Sequence, residues 1–140
     1  MEGLKYFLQP QEAEHQQRAV SERFCDENGQ PVLWELRAVT AEENEYLIRK
    51  NLRWDEKRGE NRLDVTAYKN DFAACGVVQP DLESEALQRH YGVMGASALL
   101  KKMLLAGEFA ALYTLVSRLS GFETTLTQEA DEVKNASGRA

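Results

Sequence analysis

At 140 residues the chain is long enough for one compact domain with a real apolar core. Its net charge of −6 argues against a nucleic-acid binder, because affinity for phosphate comes from clustered Lys and Arg. Cys25 and Cys75 stand far apart, with no Cys or His at metal-ligand spacing, which argues against a zinc site and for reduced thiols.

In chain order, Met1 to Gln17 opens on an apolar patch, Leu4, Tyr6, Phe7 and Leu8, and turns into a Gln- and Glu-rich stretch. The patch reads as a helical turn docked on the domain. Gln9 to Gln17 reads as a mobile spacer carrying a solvated His15, since too little of it can be buried to offset its ordering entropy. The same stretch is polar where a secretion signal is apolar, and the run Val93 to Leu105 is broken by Gly95, Ser97, Lys101 and Lys102. Neither a leader nor a membrane span is expected, and a cytoplasmic location is.

Ala19 to Val39 holds two alternating runs around Asp26-Glu27-Asn28-Gly29-Gln30, the pattern of a β-hairpin. A three-residue loop of Glu27, Asn28 and Gly29 sets Phe24 opposite Val32, Glu22 opposite Trp34 and Val20 opposite Leu36, gathering the apolar side chains on one face. A two-residue Asn28-Gly29 loop mixes the faces, so a type I turn with Gly29 left-handed is expected. Pro31 belongs beside the turn on an edge, and the hairpin face must pack on helices or pair with another chain.

Thr40-Ala41-Glu42-Glu43 is a capping box, and a helix follows to about Leu52 that buries Leu47, Ile48 and Leu52. Glu42, Glu43 and Glu45 are the first-turn acids that caps and the helix dipole favour, rather than an acid/base or metal cluster. Arg53 to Arg62 is mostly charged and reads as a solvated loop; Trp54 within it either caps the core or anchors a partner. Asp64 caps a helix from Val65 to Cys75, with Tyr68, Phe72 and Cys75 at helical spacing. Gly76 and Pro80 end it, and Ser84 starts a short helix whose His90 has no triad partner in sequence.

Tyr91 to Phe122 is the stretch around which the chain is organised. A helix from about Ala96 to Leu105 places Ala96, Leu99, Leu100, Met103 and Leu104 in an apolar arc of roughly 140°. A second, opening at Gly107 and running from about Glu108 to Ser120, places Phe109, Leu112, Tyr113, Leu115, Val116 and Leu119 in an arc of roughly 160°, wider than a one-sided surface helix needs. It closes at Gly121, a residue suited to the left-handed position after a helix. Either neighbouring helices or another protein covers the extra width. Met103, Phe109, Leu112, Tyr113 and Val116, together with Trp54, are therefore the candidate partner contacts; some of them must close the core. The expected fold is α+β, an N-terminal β-hairpin packed on a mostly helical domain of about five helices. No nucleophile elbow, P-loop or metal motif is present, so no catalytic, cofactor or metal residues are assigned and no enzyme is expected.

The segments Glu22-Arg23-Phe24, Asn28 to Glu35, Glu42-Glu43-Asn44, Ala73-Ala74-Cys75, Gln79-Pro80-Asp81-Leu82, Tyr91 to Ala96 and Leu99 to Leu104, followed by Gly107-Glu108-Phe109, together resemble the XkdN-like family of phage tail assembly chaperones. The likeness covers about Val20 to Phe122 and is densest through Tyr91 to Phe109; Met1 to Arg18 and Glu123 to Ala140 fall outside it. The chain divides accordingly into a partly mobile extension (1–18), a chaperone-like domain (19–122) and a polar, mobile tail (123–140). The resemblance implies a phage or prophage protein of the host cytoplasm that reversibly binds the tape-measure protein, keeps it soluble and leaves before the virion is complete. A tail-tube protein and a second copy of this chain are the further partners it allows; nucleic acid and membrane are not among them. The alternative is a helix-turn-helix DNA-binding regulator, with short helices meeting at Gly92 and Gly95. Against it, the second of these helices offers only Lys101 and Lys102 to a DNA groove.

Overall fold

The computed structural model describes residues 2–122; the expected polar tail lies outside the described residues. In chain order, after a 3-10 turn at Glu2–Leu4, the elements are α1 (Lys5–Leu8), β1 (Gln16–Arg18), β2 (Trp34–Leu36), α2 (Ala41–Lys50), β3 (Leu52–Asp55), β4 (Glu60–Leu63), α3 (Val65–Cys75), β5 (Val77–Gln79), α4 (Glu85–Tyr91), α5 (Ala96–Met103) and α6 (Ala106–Leu119). The fold is α+β as expected, with six helices, a three-stranded antiparallel sheet ordered β1-β2-β5 and a separate β3-β4 hairpin among the described residues.

The Asp26 turn forms as its residues dictate. Gly29 N–H donates to Asp26 O at 3.0 Å, Asp26 N–H donates to Gln30 O at 2.9 Å, and Gly29 takes φ +77°, which a Cβ would strain. Val32 N–H then donates to Phe24 O, but the expected ladder goes no further. Trp34 and Leu36 pair with Arg18 and Gln16, not with Glu22 and Val20. The reason is long-range and polar. Arg23 leaves the strand to donate to Met103 O and to the Glu108 carboxylate, both at 2.7 Å, so Ala19 to Arg23 loops out and Gln16–Arg18, whose first two residues were expected within a spacer, becomes the edge strand. The hydrogen bond from Arg23, aided by Ser21 and Leu105 N–H, holds the Glu108 carboxyl at about 2.

The helix ends follow local chemistry. Thr40 Oγ1 accepts from Glu43 N–H at 3.1 Å while Glu43 Oε1 accepts from Thr40 N–H at 3.0 Å, the reciprocal capping box. Asp64 and Ser84 cap α3 and α4 through Ala67 N–H and Leu87 N–H. At the end of α6, Gly121 N–H donates to Arg118 O and Phe122 N–H to Ser117 O, a Schellman motif that places Gly121 at φ +99°. The helix after Thr40 stops at Lys50, so Leu52 is exposed on β3 instead of buried, and only Leu47 of its three expected core residues is fully buried.

The hub of the core is α3, which packs against α2, α5, α6 and β5. Phe72 and Ala73 on α3 meet Leu99, Leu100 and Met103 of α5 and Leu112 and Val116 of α6, and Trp34, Leu36 and Val39 close the sheet side. Helix α3 can lie this close because it ends on Gly76. A Cβ there would stand 2.4 Å from Val116 Cγ1, while the Gly76 carbonyl accepts Arg37 N–H at 2.8 Å. Arg37 in turn grips Glu43 through two hydrogen bonds of 2.9 and 2.7 Å, joining the end of the sheet to the start of α2 and holding the Glu43 carboxyl at about 2.

Candidate docking surface

Arg53 to Arg62, expected as a solvated loop, is instead the β3-β4 hairpin. Its two ends are pinned at Asn51, a buried residue whose Nδ2 donates to Leu47 O and to Asp71 Oδ2 and whose carbonyl accepts Asp64 N–H at 2.8 Å. Its turn is closed by Asp55, whose carboxylate accepts the N–H groups of Lys57 and Arg58 and whose carbonyl accepts Gly59 N–H. The strands pair Leu52 with Leu63, Arg53 with Arg62, Trp54 with Asn61 and Asp55 with Glu60. Residues directly opposite share a face, so one face of the ribbon carries Leu52, Leu63, Trp54 and Asn61 and the other carries the charged pairs, with Arg62 and Asp55 in contact at 3.5 Å. The signal was present as apolar residues at alternate positions 52 and 54, but it was masked by the density of charge around them.

Under the hairpin, Asp71 receives Asn51 Nδ2 at 2.9 Å, Lys50 Nζ at 3.2 Å and the Ser97 hydroxyl. Burial pushes the Asp71 carboxyl up, and the hydrogen bonds from Ser97, Asn51 and Lys50 outweigh it, so the group stays ionised below its ordinary range. This cluster ties α2, α3 and α5 together and gives the hairpin a rigid base. Beside it runs a shallow groove lined by Lys50, Asn70, Asp71, Glu83 and Lys101, with Met94 exposed at its rim.

The six candidate contacts are divided by the fold. Met103, Leu112 and Val116 are buried, closing the core against α3, and offer nothing to a partner in this conformation. Phe109 and Tyr113 are half-buried; Tyr113 lies against Phe72 with ring centres 5.6 Å apart, under Lys69 Nζ. Trp54 is 63% exposed and therefore does not cap the core. The wide arc of α6 is thus used mostly inside the domain, because α3 covers the part of it that Leu112 and Val116 occupy. The apolar patch near the N-terminus does form a helical turn, but Leu4, Tyr6, Phe7 and Leu8 do not dock on the domain and remain 55–83% exposed.

Chemically, this surface is suited to binding. The Cys75 thiol is pushed up by burial and by the neighbouring Glu43 carboxylate, which disfavours the nucleophilic thiolate. Among the described residues no group of three or more His, Cys, Asp or Glu side chains could hold a metal ion, and no helix is long and apolar enough to cross a membrane. The helix-turn-helix alternative is poorly served by α5, which buries Leu99, Leu100 and Met103 and turns only Lys101 and Lys102 of its basic residues outward.

A small α+β scaffold that holds the Trp54 side chain out to solvent on a hairpin offers a surface suited to protein contacts. The chain is a member of the phage XkdN-like tail assembly chaperone family, whose model matches residues 4–134. That match runs past both ends of the Val20 to Phe122 span in which the resemblance was legible. The chain is similar to the phage-like element PBSX protein XkdN of Bacillus subtilis strain 168, 27% identical over 128 residues that make up 89% of this chain and 86% of the relative. It is also similar to the uncharacterized protein YqbN of the same organism, 26% identical over 138 residues, 94% of this chain and 93% of that one. A crystal structure of YqbN shares the fold, with a TM-score of 0.72 over 84% of this chain and 94% of that chain at 23% identity.

Proposed function

We propose that this tail assembly chaperone binds the tape-measure protein reversibly in the host cytoplasm, keeps it soluble until tube subunits enclose it, and is left out of the finished virion. A long helical chain with apolar seams aggregates while those seams are exposed, and a binder that covers them transiently prevents this. The observation that carries the reading is Trp54, a large aromatic side chain held in solvent on a braced hairpin by an otherwise acidic domain; such side chains dominate the energy of protein interfaces. Phe109 and Tyr113 on α6 are the second patch, and a tail-tube protein is a further partner of the same kind. The test is co-expression with the tape-measure protein. The native chain should raise its soluble fraction and co-purify with it, and Trp54→Ala should lose both effects while melting at the parent temperature. A tape-measure protein that stays equally insoluble with and without the chain, or peptides of this chain in purified virions, would refute the reading.

A further inference from the structure

The chain ahead of β2 offers that strand two partners, four residues apart. The Asp26 turn starts one ladder: Asp26 N–H donates to Gln30 O, Val32 N–H donates to Phe24 O, and Cys25 stands opposite Pro31. Continued, this register sets Glu22 opposite Trp34 and Val20 opposite Leu36, whereas the structure sets Arg18 opposite Trp34 and Gln16 opposite Leu36. Four is an even number, so β2 keeps the same side chains toward the core in both registers. Little would have to move with the strand: Leu4 to His15 are all exposed, and their contact with the sheet is the 3.4 Å approach of His15 Nδ1 to Glu35. What holds the observed register is the loop between the two partners. Arg23 Nη2 donates to Met103 O and to Glu108, Arg23 N–H donates to Ser21 Oγ at 3.2 Å, and Ser21 is buried. The Val20 and Glu22 N–H groups, in contrast, have no acceptor among the described residues and are free to donate to β2.

We infer that the Ala19 to Arg23 loop is a register latch: when Arg23 is released from Met103 O and Glu108, the loop straightens, Val20 and Glu22 replace Gln16 and Arg18 beside β2, and the N-terminal strand slips by four residues. The backbone groups of β2 stay paired throughout, since one short strand replaces another of the same length. The slip carries the N-terminal turn about 13 Å toward the Thr40 end of β2. The latch stands at the head of α6, where Glu108 is followed by the half-buried Phe109, so a partner that docks there and presents a cationic side chain to Glu108 would release Arg23. That consequence rests on the proposed function; the slip itself rests on the two registers alone.

Nuclear magnetic resonance on the full chain tells the registers apart. Val32 turns its N–H toward the preceding strand, so by alternation Trp34 and Leu36 do the same and Glu35 faces its neighbour in a non-hydrogen-bonded pair, where opposite α-protons approach closely. In the parent the Glu35 α-proton should show a nuclear Overhauser contact with that of Gln17. In Arg23→Ala the contact should pass to Ser21, with amide exchange slowed about tenfold at Val20 and Glu22 and quickened by a similar factor at Gln16 and Arg18. Glu108→Gln, which weakens the latch while keeping an acceptor for Leu105 N–H, should show the Ser21 contact beside the Gln17 one. Glu22→Pro removes an N–H that the slipped ladder needs and suits the turn that Glu22 and Arg23 form, so Arg23→Ala/Glu22→Pro should return to the Gln17 contact. The inference is overturned by an Arg23→Ala protein that keeps Gln17 beside Glu35 or frays to show neither contact, and, should that variant fail to fold, by a Glu108→Gln protein without the Ser21 contact. A slip in these variants without capture of the tape-measure protein by the parent would leave the latch standing and remove the proposed function, and capture without a slip would do the opposite.

Discussion

Replacing Gly76 by Ala tests the packing that sets the whole helical layer. Gly76 has φ −83°, an angle that any residue accepts, so the substitution removes freedom from the unfolded chain and by itself should stabilise by about 0.4–1 kcal/mol. The new methyl, however, would lie 2.4 and 2.7 Å from the two methyl carbons of Val116 and 3.1 Å from its Cβ. Val116 is fully buried, so the contact is relieved only by moving α6 or its rotamer, an overpacking cost of roughly 1–3 kcal/mol. Clash should win, with a net loss of about 1–2 kcal/mol, or roughly 3–6 °C in melting temperature for a domain of this size. Val116→Ala alone should cost about 2 kcal/mol through lost burial and a small cavity. In the double variant the methyl added at position 76 enters the space that the Val116 side chain vacates, so the combined loss should fall short of the sum by at least about 1 kcal/mol. Urea titration of the four proteins, with unchanged m-values, measures this coupling. Additive losses, or a Gly76→Ala protein more stable than the parent, would refute the argument that α3 and α6 approach closely only because residue 76 has no side chain.

Three other outcomes follow from named contacts. Glu43 and Glu108 have folded pKa values near 2 against an ordinary 4.5, so their stabilisation is complete above about 4.5 and is lost as pH falls toward 2; the urea midpoint should drop across that window, and less steeply in Glu43→Gln and Glu108→Gln. Thr40→Ala leaves Glu43 N–H without its cap and should cost about 1 kcal/mol of stability by the same titration, with Thr40→Ser close to the parent. Leu112→Ala should cost roughly 2–5 kcal/mol, whereas the exposed Trp54→Ala should stay within about 0.5 kcal/mol of the parent, and a reversed order in thermal melts would contradict their assignment to core and surface.

Local chemistry was legible in the chain wherever it is completed within a few residues. The Thr40 capping box, the Asp64 and Ser84 caps, the Asp26 to Gly29 turn and the stop at Gly121 each close their hydrogen bonds over short sequence distances, and each stands where the residues place it. The apolar periodicity of α3, α5 and α6 likewise determined that these helices bury one side. What periodicity cannot specify is the partner of that side. The arc of α6 looked wide enough to serve another protein, yet Leu112 and Val116 are consumed by α3, whose approach depends on Gly76. The strand partner of β2 was likewise decided at long range, when Arg23 found Met103 O and Glu108 some eighty residues away and drew the expected strand out of the ladder. Trp54 was visible as an anomaly in a charged stretch, but its role as the exposed face of a ribbon arose only because Asn51, buried between Leu47 and Asp71, fastens the two ends of that stretch together. Short-range hydrogen bonds and periodicity are written in neighbouring residues, whereas register, helix approach and exposure depend on which distant groups satisfy a buried charge or fill a cavity, and those are settled only when the chain is folded.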